Sequence, residues 1–269
     1  DERRNVVDQL TGRGAEVVEP LSAALDQVGW RGREEILKIL SRIGPASLPA
    51  LMRTARFHKS VHVRRVAFRE AGKVGGSAAR DSLLGALESA ERDIVIEALG
   101  EAGDSTVVPV LRRFLTDPSI DVRRRAVIAV GRVGGAGAVS PLIDALSDEH
   151  FSVRFAAAGR LEEIGDAAAA ALADRMDESS RTATQGLSSS AHYLAIRVLG
   201  RLKHEAGRPV LERALSAEDW SLRAAAANAL GSLGSSFSIG RLEAALERET
   251  HPFVRAQIRD ALDRRGNSE

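Results

Sequence analysis

The residues best suited to chemistry in this chain are six histidines, a recurring set of arginines and a few aromatics placed where a scaffold has little need of them. His58, His62, His150, His192, His204 and His251 are the candidate metal ligands and proton carriers. His58 and His62 stand four apart, the spacing that puts two imidazoles on one helical face for a metal. They fall across the turn-like run Phe57-His-Lys-Ser-Val-His62, which takes the shared face away. Cysteine is absent, excluding disulfides, thiolate nucleophiles and Cys-ligated zinc. No Gly-rich phosphate loop, Gly-x-Ser-x-Gly elbow or Walker pattern occurs. The expectation is no metal, no cofactor and no catalytic residue.

The arginines carry more information. Arg3, Arg33, Arg64, Arg92, Arg123, Arg154, Arg223 and Arg255 recur at one register position, with His192 in the one substituted copy. A basic stripe of this kind suits phosphate. A residue repeated in every unit equally suits a structural ladder, bonding helix-end carbonyls or acids such as Asp117, Asp121, Asp148 and Asp177, and we expect the ladder. Positions one and five residues after it are freer. They give Arg65 and Arg69, Asp93 and Glu97, Arg124 and Ile128, Phe155 and Gly159, Tyr193 and Arg197. Aromatics beside arginine make binding hot spots, and Arg can add cation–π contacts. Arg65, Arg69, Arg124, Ile128, Phe155, Tyr193 and Arg197 are therefore the candidate partner-binding set, with sideways core packing of Phe155 and Tyr193 as the alternative.

These positions exist because the chain repeats about every 31 residues. Val122 to Gly134, Val153 to Gly165 and Leu222 to Gly234 are the clearest copies, and the repeat closes at Gly14, Gly44, Gly75, Gly103, Gly134, Gly165, Lys203, Gly234 and Gly266. Such a period marks a solenoid, in which each unit buries its apolar face against its neighbours. Each copy reads as two helices. In the first, Leu40, Ala71, Leu99, Val130, Leu161, Leu199 and Leu230 share an inner face with Ile36, Ala67, Val95, Ala126, Ala157, Ala195 and Ala226, each four residues earlier. The closing Gly ends that helix by accepting positive φ. In the second, Pro20, Pro49, Pro109, Pro141 and Pro209 lie near the start, where a missing N–H costs nothing. No run alternates as a strand does. The expectation is an all-α superhelix of eight helix pairs plus a terminal helix, one solenoid over residues 1–269. A Ser/Thr-rich insertion covers 177–190, with Ser190 as the next helix's N-cap.

Hydrophobic residues make up 44% of the chain but aromatics only 4%, so Ala, Leu and Val must fill a closely packed interior. The formal net charge of +1 sets up no global field for nucleic acid or acidic lipid. No apolar run approaches the ~20 residues that span a bilayer, and the first residues, Asp1-Glu-Arg-Arg4, do not resemble a signal peptide. The chain reads as a fragment of a longer protein. A cytoplasmic place is favoured, with an extracytoplasmic domain left open.

The Asp117-Pro-Ser-Ile-Asp-Val-Arg123 turn and the Val-Arg-x-x-Ala helix resemble HEAT repeats, most closely the short bacterial type also found in phycobilisome lyases. The resemblance covers essentially the whole chain and implies that the Val-Arg helices line a concave side. One HEAT-like family, the deoxyhypusine hydroxylases, holds a di-iron centre with several His-Glu pairs. Only His204-Glu205 occurs here, which speaks against it. Bilin lyases share the repeat without a catalytic constellation that can be carried over, and HEAT-like DNA glycosylases grip duplex backbone with basic concave residues. Arg65, Arg69, Arg124, Arg125 and Arg197 suit that role, but Asp8, Asp93, Glu97 and Asp260 interrupt the track. The function expected from sequence is a non-enzymatic scaffold binding a protein partner in a concave groove centred on residues 65–197. A bilin lyase-like or DNA glycosylase-like protein is the alternative.

Overall fold

Small inner residues and a glycine stop every thirty residues or so give an all-helical chain. The computed structural model describes residues 2–181, 187–234 and 238–266. The Val-Arg helices are α1 (Glu2–Gly12), α3 (Trp30–Ile43), α5 (Val61–Val74), α7 (Arg92–Glu101), α9 (Ile120–Val133), α11 (Phe151–Ile164), α13 (Ser189–Leu202), α15 (Trp220–Leu233) and α17 (Pro252–Gly266). Between them run the Pro-type helices α2 (Val18–Ala24), α4 (Leu48–Phe57), α6 (Gly76–Leu84), α8 (Val108–Arg112), α10 (Val139–Ala145), α12 (Asp166–Arg181), α14 (Arg208–Ala214) and α16 (Ile239–Arg248). Eight pairs and a closing helix result, the α-solenoid class expected. Residues group into two compact units, Asp1–Gly134 and Gly135–Glu269.

Inside each unit the core is the predicted Leu/Ala face. Leu40, Leu99, Val130, Leu161, Leu199 and Leu230 are fully buried, as are Ala67, Ala126, Ala157, Ala195 and Ala226. In α17 the buried positions are Val254, Ile258 and Ala261, with Leu262 half-buried, and in α1 Val6 is exposed. The first glycine of the Ala-Leu-Gly pattern has a role that the sequence reading did not assign. A Cβ on Gly72, Gly100, Gly200 or Gly231 would come within 2.9 Å of the facing alanine, Ala98, Ala129, Ala229 or Ala261. The Val-Arg helices therefore pack nearly backbone to backbone.

The helix stops follow the glycine rule with two exceptions. Gly134 is right-handed at φ −87°, and its neighbour Gly135 takes the positive angle at φ 49°. Lys203 stands where other copies have glycine and adopts φ 52°, strained for a side chain with a Cβ. In the expected insertion, α12 continues as helix through Arg181, and residues 182–186 lie outside the described residues. The N-cap of α13 is Ser188, whose Oγ accepts from the Ala191 N–H at 3.3 Å, two residues before the predicted Ser190.

Candidate functional site

The arginine register builds the turns. Arg64, Arg123, Arg154, Arg223 and Arg255 each donate from Nη1 to a carbonyl six residues earlier, at His58, Asp117, Asp148, Ala217 and Glu249, over 2.7 to 3.0 Å. Arg33 reaches Leu25 O at 2.8 Å through Nε. Several also grip a carboxylate in the following repeat. Arg64 pairs with Glu91, Arg92 with Asp117 and Arg223 with Glu249. His192 sits in this register and contacts Ser188 O at 3.3 Å. Asp121 is held by Arg124, and Asp177 by Arg213 of α14. These guanidiniums are spent on backbone carbonyls that a turn leaves unsatisfied.

The freer register behaves differently in the two units. In the first, Arg65 forms a two-pronged pair with Asp93 at 2.9 and 2.8 Å, and Arg69 donates to Glu97 at 3.1 Å. Arg125 bridges both acids, 3.2 Å from Asp93 and in direct contact with Glu97. Burial pushes the Asp93 carboxyl up, but the hydrogen bond from Arg65 and the charges of Arg65 and Arg125 outweigh it and leave the group below its usual range. Burial also pulls the Arg125 guanidinium down. Arg124 pairs with Asp121 at 3.3 Å, and Ile128 is half-buried. Of the cations proposed for partner binding here, Arg65 and Arg69 are thus already paired by the neighbouring helix α7, and Arg124 within its own helix.

The second unit carries an open groove of 970 Å³ along α13, α15 and α17. Gly200, Ala224, Ala225 and Ala229 form a low floor, and Tyr193, Trp220 and Phe253 stand along it. The Trp220 ring stacks on His251 at 4.6 Å and meets Phe253 edge-on at 5.9 Å. Arg197 lies 5.9 Å from the centre of the Tyr193 ring. Asn228 and Gln257 hydrogen-bond across the groove at 3.1 Å. Of the predicted set, Tyr193 and Arg197 are brought together here, whereas Phe155 is exposed on α11 and does not line the groove. Trp220, Phe253 and Lys203 were missed. Trp220 opens its helix in the register of Trp30, Ile120 and Phe151, all exposed, and that row of apolar first residues was legible in the sequence.

Three of the histidines serve as caps, whereas His62 pairs with Glu34 and His251 stacks on Trp220. Nδ1 of His58, His150 and His204 each accepts a backbone N–H two residues on, at 3.0, 3.3 and 3.2 Å. Aspartates do the same elsewhere, as Asp117 does for Ser119 and Asp219 for Ser221. Glu205 pairs with Arg208. The single His-Glu pair is therefore a turn, and among the described residues no group of three or more His, Asp or Glu side chains is placed to hold a metal ion. This donor set does not fit a di-iron centre built from several His-Glu pairs.

Paired helices, small-residue contacts between them and an arginine-braced turn in most copies define an all-α repeat protein. The HEAT-repeat family model matches residues 18–102, 90–143, 108–191 and 183–263, and the chain belongs to that family. Human deoxyhypusine hydroxylase is 30% identical over 195 residues, which is 62% of each chain. The chain spans less than two thirds of the length of the curated relatives it matches. YibA of Escherichia coli has a solved structure with TM-score 0.53, at 17% identity over 99% of this chain and 97% of that one. The CpcE–CpcF complex of the phycocyanin lyase of Nostoc sp. is 21% identical over 81% of this chain and 94% of that one, with TM-score 0.43. The relatives overturn the expectation of a non-enzymatic scaffold, because the curated proteins matched are enzymes. The absence of a recognisable metal or nucleophile motif in a repeat scaffold does not make it non-catalytic. Among the described residues no helix is long and apolar enough to cross a membrane.

Proposed function

We propose that the chain is a HEAT-repeat enzyme that holds a protein substrate in the groove of α13, α15 and α17. The observation that carries this reading is the row of half-exposed rings, Tyr193, Trp220 and Phe253, over a floor of glycine and alanine. Rings kept partly in water are poor core and good anchors for a passing chain. The groove is open along three parallel-running repeats, which suits an extended segment better than a compact small molecule. Enzymatic relatives support the catalytic half of the reading. The hydroxylation named for them is not carried over, because His58, His150 and His204 are occupied as caps and the described His, Asp and Glu side chains are not grouped to hold a metal. No residue of this chain is assigned a bond-making role.

Selection of a random peptide library on the chain tests the reading, with a small-molecule extract supplied and retained peptides followed by mass spectrometry. Retention that a Tyr193→Ala, Trp220→Ala variant of equal helicity loses, together with covalent change in the retained peptides, is the expected result. Retention without any covalent change would remove the enzymatic half. Equal retention by the variant would remove the groove.

A further inference from the structure

We infer that this groove reads an acidic side chain of an extended polypeptide, with Arg197 as the principal contact and Lys203 as a second cation. The inference rests on the protein-substrate reading and names the class of segment it takes. It starts from a contrast between two copies of the same register. In the first unit Arg65 and Arg69 face Asp93 and Glu97 on the next helix, and Arg125 completes the set. In the second unit Arg197 faces Asn228 on α15, and Asn228 is bonded to Gln257 on α17. At this register the acids Asp93 and Glu97 give way to Ala224 and Asn228. Among the described residues, the interaction of Arg197 is the one with the Tyr193 ring, and no carboxylate stands within ion-pair distance of Arg197 or Lys203.

The rest of the lining sharpens the charge. Arg201 is answered by Glu162 at 3.2 Å, and Asp219, the groove's one carboxylate, is committed to the Ser221 N–H at 2.8 Å. Arg197 and Lys203 therefore remain for a ligand. A guanidinium already lying along an aromatic ring has lost much of its rotamer freedom, so a carboxylate docking on it pays little further ordering. Asn228 and Gln257 keep a donor and an acceptor each after bonding one another, which matches the N–H and C=O of a backbone. Trp220 and Phe253 take an apolar neighbour of the acid. A nucleic acid is the poorer fit, because two uncompensated cations are few against the ~6–10 phosphate contacts typical of a duplex binder.

The experiment selects a phage-displayed random peptide library on the nuclease-treated full chain. An Arg197→Ala variant and a Trp220→Ala variant, both checked for unchanged helicity, are run in parallel. Asp or Glu should be enriched at a fixed spacing from an aromatic or aliphatic residue. The synthesised winning peptide should bind Arg197→Ala about tenfold more weakly, equivalent to losing one charge-assisted contact. That gap should shrink as salt is added. Apolar enrichment without acidic bias would overturn the acidic reading and leave the protein-holding groove intact. Winning peptides that bind Trp220→Ala and Arg197→Ala as well as wild type would overturn both. Nucleic acid retained by untreated wild type and lost from Arg197→Ala would also overturn it, assigning the groove to phosphate.

Discussion

Arg223 and Glu249 form a two-pronged ion pair, Nε to Oε2 at 2.6 Å and Nη2 to Oε1 at 3.0 Å, tying the first turn of α15 to the turn before α17. The same guanidinium holds the carbonyls of Ala217 and Glu218, so one side chain closes two successive repeats. This link makes the second unit sensitive to acid in a definable window.

The Glu249 carboxyl is drawn down from 4.5 to about 2, chiefly by the hydrogen bond from Arg223, against the upward push of burial and with help from the His251 backbone N–H. A depressed folded value means the contribution is complete above the unfolded value near 4.5 and is lost as pH falls towards about 2. Thermal melts of wild type and Glu249→Gln, taken across that window, should differ most at neutral pH and converge in acid. A constant gap at every pH would show that Glu249 is not the titrating link.

Gly231 and Gly159 occupy helix interiors with opposite surroundings. A Cβ on Gly231 would meet the Ala261 Cβ at 2.7 Å and Cα at 2.8 Å, whereas one on Gly159 meets nothing within 4 Å. Gly231→Val should cost about 1–3 kcal/mol through overpacking. Gly159→Ala should gain about 0.5–1 kcal/mol from helix propensity alone. Urea unfolding of both variants checks the pair, and equal effects would contradict the close approach of α15 and α17.

Lys203 has φ 52° at the end of α13 and also lines the groove. Lys203→Gly relieves a left-handed conformation worth about 1–2 kcal/mol, less the extra freedom glycine gives the unfolded chain. The variant should melt higher while binding an acidic peptide less well. Stability and binding moving together would remove one of the two roles.

Asp93 answers Arg65 and Arg125 at once. Asp93→Ala leaves like charges facing one another in a half-buried row and should cost about 2 kcal/mol, the scale of a lost hydrogen bond to a charged group. Adding Arg125→Met should recover part of that loss. Denaturant midpoints of the single and double variants decide it, and a double variant no better than the single would show that Arg125 is not the residue left stranded.

The helix pairs, the Leu/Ala core and the stop positions were legible because each repeat makes the same local choices. An inner face recurs at helical spacing, and a glycine or proline marks each end. The arginine register was legible for the same reason, since a residue kept in all copies but that of His192 answers a need that recurs along the chain. Pairing between copies could not be read that way. Arg69 and Arg197 occupy the same position in the pattern, yet one is quenched by Glu97 and the other looks across at Asn228. The first glycine of the Ala-Leu-Gly step had no assigned role until the facing alanine appeared 2.6–2.9 Å from the absent Cβ of Gly72, Gly100, Gly200 and Gly231. The role of His204 was not legible until its ring nitrogen was found on a backbone N–H. Periodicity specifies which face of a helix turns inward, and the sequence alone supplied that. Which charges are cancelled, which rings stay in water and which imidazoles are free depends on residues about thirty positions away, and only the stacking of successive helices decides it.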